Sequence, residues 1–266
     1  MQNLNNSYIN IEDNVNVSEP NDFNAFFKLA ALIVSICVGI YFAIHVTCNV
    51  VIQNLSPENQ ASLEKALSSE VNSQFNNSIV ANSEYTTKLK NLEQKITPLN
   101  KTLREHGEFN INVIKKDEVN AFVTADGSIF FTEKLLKEVQ NDEQLCFVLA
   151  HEMGHYIHKD HLKALSRGVS GIAVGITMAV LTGGNEDIGK VVNGSLNFAE
   201  MNHSKNDELM ADAFANKVVI ALYGDNKEAI EFFKYIDKTD KAENFLYFFS
   251  THPSPEERIK YLQKAK

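Results

Sequence analysis

Positive charge is in short supply in this chain of 266 residues: 25 Lys and Arg face 34 Asp and Glu, a formal net charge of -9. With no basic excess to displace counterions, the composition argues against a nucleic-acid partner, and none is expected. Cysteine is scarce too. Cys37, Cys48 and Cys146 cannot build a disulfide framework, and two of them lie in an apolar run; they read as small buried hydrophobes that leave the redox compartment open. Residues 1–24 lack Lys and Arg altogether, are rich in Asn, and carry Glu12, Asp13, Glu19 and Asp22. Such a segment has too little apolar surface to order itself and reads as a disordered acidic tail.

Charge of either sign then vanishes. In "KLAALIVSICVGIYFAIHVTCNVVI", residues 28–52, nothing is charged from Leu29 to Ala43, and the length suffices to cross a hydrocarbon core of about 30 Å. Residues 25–52 are therefore expected to form one transmembrane helix. A buried core helix is the rival, supported by His45 and Asn49, although both lie near the end, where an interface accepts them. A cleaved signal peptide fits less well, because the preceding segment is long and acidic and no clean cleavage site comes after it. Lys28 precedes the run and Lys65 is the first base after it, so the positive-inside bias puts the N-terminus in the cytoplasm and the remaining chain on the extracytoplasmic side.

Beyond the apolar run the chain is rich in periodicity. Ser56 and Pro57 form a helix start, with Leu63, Leu67 and Val71 spaced for an amphipathic face. "FNINVIKKDEVNAFVTADGSIFFT" alternates and is rich in β-branched and aromatic residues, and Asp126-Gly127 suits a two-residue hairpin turn, so a small antiparallel sheet is expected. Everything after Glu133 reads as helix. A second apolar run, "VSGIAVGITMAVLTGG", has Gly171 and Gly175 four apart. It is short for a span and reads as a buried or membrane-grazing helix.

"LAHEMGHYIHKDH", residues 149–161, carries four histidines and a glutamate. On a helix, His151 and His155 share one face, with Cβ atoms about 5–6 Å apart, which suits two ligands of a tetrahedral zinc ion. Glu152 then points beside the ion, where it can take a proton from water the ion activates and hand it to a leaving amine. That chemistry hydrolyses a peptide bond. Surface histidines are one rival, disfavoured because "LCFVLA" runs directly into the motif. A purely structural zinc site is another, but it would close its fourth position with protein and has no use for Glu152. His161 has the spacing of a third histidine in the metzincin pattern, but the glycine that pattern needs is replaced by His158. A helix running on would put His161 roughly 120° around and 9 Å along from His155, and His158 about 10.5 Å along from His151. Neither could share the ion, so the third ligand must come from elsewhere.

From about Asn110 to the C-terminus the chain resembles peptidase family M48, the HtpX and CAAX prenyl protease type of membrane-associated zinc metallopeptidase. "VNAFVTADGSIFFTEKLL", "LAHEMGHYIHKDH", "SKNDELMADAFA" and "THPSPEERI" carry the resemblance together, in order and spacing. It implies that Glu208 is the third zinc ligand and that Asp212, one turn later on the same helix face, supports a ligand histidine by accepting its free N–H. It also implies that His252 lies close to the metal, holding an oxyanion or acting as a switch. The rival for this motif is a local turn, with Arg258 capping or pairing nearby. Lys205 stands where the family commonly has Arg, which weakens any bidentate contact there. Asn120, Ala121 and Phe122 look like the start of the edge strand along which the family lays an extended substrate, read through its backbone.

The expected architecture is α+β: a disordered tail (1–24), a transmembrane helix (25–52) and a helix-rich zincin-type, or gluzincin, domain (53–266), with a helical lead-in (53–100) before the catalytic core (101–266). The expected activity is that of a membrane-anchored zinc endopeptidase with one Zn2+ per chain, acting on protein or peptide substrates, with protein quality control as the expected setting. The alternative is a catalytically weak, metalloprotease-like chaperone that binds clients.

Overall fold

The computed structural model describes residues 23–81, 84–182, 203–238, 252 and 255–265. The acidic tail lies outside the described residues up to position 22, and its last two residues open α1 (Phe23–Gln53). Only 6% of the most apolar stretch of α1 is buried within the fold, which removes the core-helix rival. Among the described residues it is the one helix long and apolar enough by itself to cross a membrane.

After a short break, α2 (Pro57–Phe75) starts with the Ser56 side chain accepting from Asn59 N and Pro57 in the first turn. α3 (Glu84–Ile96) buries Leu89, Leu92 and Ile96 on one face. Asn100 caps α4 (Lys101–His106). The sheet has three strands, β1 (Ile111–Ile114), β2 (Ala121–Val123) and β3 (Ile129–Thr132), in the order β1-β3-β2. β2 and β3 form the expected antiparallel hairpin, but β1 pairs with β3 in parallel, so the sheet is mixed. The turn also departs from expectation. Thr124 N donates to Ser128 O and Gly127 N to Thr124 O, so three residues turn the chain, and only Gly127 takes positive φ, +83°.

Alternation along β3 sends Ile129 and Phe131 into the main core with α3 and the helices after the sheet, and Phe130 to the other face against Val71 and Phe75 of α2. Thr132 then caps α5 (Glu133–Glu138) and Asn141 caps α6 (Asp142–Ile157). α6 does not run on as the sequence predicts. His158 is its C-cap, Lys159 takes φ +54°, and α7 (Asp160–Thr182) sets off in a new direction. Next in the described chain is α8 (Lys205–Tyr223), opened by a capping box between Ser204 and Asp207 and closed by left-handed Gly224. α9 (Lys227–Lys238) and α10 (Pro255–Lys264) complete it.

Candidate metal centre

α6 and α8 pack against each other at close range because Gly154 has no side chain. A Cβ there would lie 2.9 Å from Ala211 Cα and 3.2 Å from Ala211 O. That contact sets His151 and His155 opposite Glu208. His151 Nε2 and His155 Nε2 are 3.0 Å apart, and they lie 3.5 Å and 3.3 Å from the two Glu208 carboxylate oxygens. His252, just ahead of α10, brings Nδ1 to 3.1 Å from Glu208 Oε1 and 3.4 Å from His151 Nε2. All four side chains are buried, and their donor atoms lie within 4.8 Å of one another.

Each α6 imidazole is held from behind by a carboxylate. His151 Nδ1 donates to Asp212 Oδ1 at 2.9 Å, and His155 Nδ1 donates to Asp160 Oδ2 at 2.8 Å. Both rings therefore present Nε2 to the shared space, the tautomer and orientation a divalent cation requires. Asp160 is itself held by Lys163 Nζ at 2.6 Å, and Lys163 also reaches Asp207 at 3.0 Å. One lysine thus ties the carrier of His155 to the first turn of α8.

Two residues here were not legible as site residues. Arg258, expected to pair locally, is instead buried: Nε donates to Asp212 Oδ2 at 2.7 Å, Nη2 to Asp212 Oδ1 at 2.6 Å, and Nη1 lies 3.0 Å from Glu208 Oε2. Its guanidinium also covers the Phe233 ring. His203, just before the α8 cap, stacks on His155 with ring centroids 3.7 Å apart, and its buried Nδ1 has no partner. Its nearness to the tight "SKNDE" motif was the one available signal.

Charge follows geometry. Burial works against ionisation at Glu208, but His252, Arg258 and the α6 histidines hold its carboxyl well below the usual range. Asp212 is likewise buried, yet Arg258 and His151 keep it low. Burial would lower His155, but Asp160 and Glu208 push it up to about 10.

Other candidates lie elsewhere. His158 caps α6, and His161 faces Glu64, Nε2 to Oε1 3.4 Å. The helix break, not the continuous-helix geometry, takes them away from the cluster. Lys205 is exposed and pairs with Glu257. Asn120 is buried at the head of β2, its N–H donating to Thr132 Oγ1, while Ala121 and Phe122 lie in β2. The outer edge of β1 is already occupied: Val80 N donates to Val113 O and Lys115 N to Ser78 O, both at 2.8 Å. Among the described residues no strand pairs with the outer edge of β2.

The donor set fits a zinc ion. Imidazole nitrogens and a carboxylate are its ligand types, and Glu152 stands beside them, 1% exposed with neither carboxylate oxygen hydrogen-bonded. An ionisable group so placed calls for a polar partner at this spot.

Comparison with known proteins agrees with this chemistry. The model of peptidase family M48 matches residues 85–266. Two yeast proteins, each named mitochondrial metalloendopeptidase OMA1, are similar. That of Saccharomyces cerevisiae is 26% identical over 150 residues, 54% of this chain and 43% of its own length. That of Schizosaccharomyces pombe is 28% identical over 162 residues, 59% of this chain and 46% of its own. The chain thus spans somewhat under half the length of these curated relatives.

Proposed function

The chain belongs to peptidase family M48, and from that premise we propose that it is a membrane-anchored zinc endopeptidase. One observation carries the reading: two imidazoles, each pinned from behind by a carboxylate, converge with Glu208 next to the buried carboxylate of Glu152, neither of whose oxygens is hydrogen-bonded. His151, His155 and Glu208 would hold the ion. Zinc there supplies Lewis acidity, polarising a carbonyl and making water nucleophilic near neutral pH. Glu152 takes the proton from the attacking water as its oxygen bonds to the scissile carbon. It then delivers that proton to the amide nitrogen as the C–N bond breaks. Asp212 and Asp160 hold the two rings in register throughout.

The open edge of β2 gives an extended substrate main-chain partners along Ala121–Val123, and recognition through the backbone ignores side-chain identity. That breadth supports a role in protein quality control. The motifs' likeness to the HtpX and CAAX prenyl protease type supports cleavage at a membrane, and the yeast relatives' own name supports the endopeptidase mode. The charge bias around α1 supports an extracytoplasmic peptidase domain; reporter fusions after residue 60 that are active only in the cytoplasm would reverse this.

His252 has a second reading. Its Nδ1 sits among the donor atoms and its Nε2 is 3.8 Å from Glu152 Oε1, so it either steadies the oxyanion or closes the site as a fourth donor. His252→Ala should cut the rate roughly ten- to a thousandfold on the first reading, and raise it on the second.

The deciding experiment is Glu152→Gln. Zinc should be retained and turnover should fall by about two to four orders of magnitude. A variant cleaving casein at a near-normal rate defeats the mechanism, and a wild-type protein that binds unfolded clients without cleaving them supports the chaperone alternative.

A further inference from the structure

α7 begins in the peptidase domain and leaves it. None of its side chains belongs to the main core cluster, and the element it packs along is α1. The pairing is antiparallel. Asn49 and Ile52 of α1 line one small cavity with Lys159, Leu162 and Lys163, and further along Ser166 Oγ donates to His45 O at 3.3 Å. Ser166 and Ser170 are fully buried in this seam.

Charge stops at one level on both helices. Arg167, paired with Asp207 at 3.3 Å, is the last charged residue of α7, and residues 168–182 carry none. Opposite it on α1, His45 and Asn49 bond each other at 3.1 Å, and no charged residue intervenes between His45 and Lys28. At 1.5 Å per residue, His45 to Lys28 spans about 26 Å and Arg167 to Thr182 about 22 Å, close to a hydrocarbon thickness of about 30 Å. Above that level the hydroxyls turn inward: Ser170 Oγ donates to Ser166 O and Thr177 Oγ1 to Ala173 O on α7, as Ser35 Oγ does to Ala31 O on α1. In hydrocarbon such groups have to be satisfied within the helix. The face of α7 turned away from α1 is apolar, with Ile176 38% exposed.

We propose that residues 169–182 of α7 are a second membrane-embedded element, lying in the lipid against α1 with the boundary at His45, Ser166 and Arg167. The apolar run read from sequence as too short to span alone gains its depth from this partner. The consequence is a fixed height for the metal site. From Arg167 back to Asp160, which holds His155, is about 10 Å of helix. Extended chain covers that distance in roughly three residues at about 3.3 Å each. Resting on the endopeptidase reading, the geometry thus favours peptide bonds within a few residues of a membrane-embedded segment.

The chain contains no tryptophan, so single substitutions in the full-length protein give clean reporters. In liposomes, Ile176→Trp should be quenched at least twofold by brominated lipids and shielded from iodide, as Leu32→Trp on α1 should be. Tyr223→Trp, in the peptidase domain, should show the reverse. Ile176→Trp behaving like Tyr223→Trp overturns the proposal, and Leu32→Trp doing so removes the membrane boundary on which it rests. A second arm uses membrane-anchored substrates whose cleavable stretch is moved outward in steps. Cleavage should peak within about the first six residues from the lipid and fall at least tenfold by 20 residues. Equal cleavage at every spacing overturns the height argument and leaves the peptidase intact. No cleavage at any spacing refutes the peptidase reading, while the tryptophan readout still decides the placement of α7.

Discussion

Four carboxylates, Glu152, Asp160, Glu208 and Asp212, are buried within one cluster of imidazoles, and Arg258 joins the histidines in keeping Glu208 and Asp212 ionised. Removing it takes the one guanidinium from both carboxylates, and undercompensated buried charge is costly. Arg258→Ala is expected to lower stability by about 3–5 kcal/mol in urea titrations and to weaken zinc binding. A variant as stable as the parent would show that the guanidinium merely fills space over Phe233. The ligand assignment is tested separately. Glu208→Ala should lose most of the zinc, while His158→Ala and His161→Ala should keep it, because their rings lie at the helix break and against Glu64. Zinc kept by Glu208→Ala and lost by His161→Ala would reverse the assignment. His151, Glu152 and His155 could be read directly, since one helical turn fixes their relation. Arg258 could not, because its partner Asp212 lies 46 positions upstream and only tertiary packing brings them together.

At the scale of elements, the site depends on how closely two helices approach. Gly154→Ala would push a methyl into the Ala211 backbone, and backbone yields less readily than a side chain. We expect a loss of about 1–3 kcal/mol together with a fall in zinc affinity, measured by competition with a chelator; unchanged affinity would mean that α6 and α8 can slide apart without moving the ligands. The break between α6 and α7 was hidden for a physical reason: it uses Lys159 at φ +54° rather than glycine, and it is held by Asp160 reaching back to His155. The parallel pairing of β1 was hidden as well, because alternation reports which face a residue takes and not which neighbour its strand chooses. The hairpin is latched to α2 through Asp126, whose N–H donates to Ser68 Oγ and whose carboxylate accepts from Asn72. Burial raises the Asp126 pKa, but hydrogen bonds from Thr124, Ser128 and Asn72 outweigh it and hold the carboxyl below its ordinary value. A depressed carboxylate contributes stability above its unfolded value, near 3.9, and loses it as pH falls through the folded one. Amide protection in the hairpin should therefore drop below about pH 4, whereas Asp126→Asn should remove that pH dependence; a wild-type profile flat through this range would contradict the latch.

For the molecule as a whole, the two apolar helices and the peptidase domain are not separable in the way the sequence suggests. Read in order, the chain invites a cut after α1, since residues 53–266 look like a self-contained soluble domain. The structure gives α1 a second task. It covers the seam face of α7, including Ser166 and Ser170, and neither helix contributes a side chain to the main core. Cutting at residue 54 would bare that face beside the already exposed Ile176, and contiguous apolar surface of this kind drives association in water. The metal ligands all lie beyond the cut and are held by contacts among α6, α7, α8 and α10, so zinc binding should survive. The piece from residue 54 is therefore expected to bind zinc at about one per chain and yet to aggregate without detergent, as judged by size-exclusion chromatography. Changing Ile172 and Ile176 to Gln in that piece should restore a monomer with its zinc. A monodisperse, detergent-free parent piece would mean that α7 folds back onto the domain when α1 is gone, and the membrane boundary drawn through Arg167 would then have to rest on α1 alone.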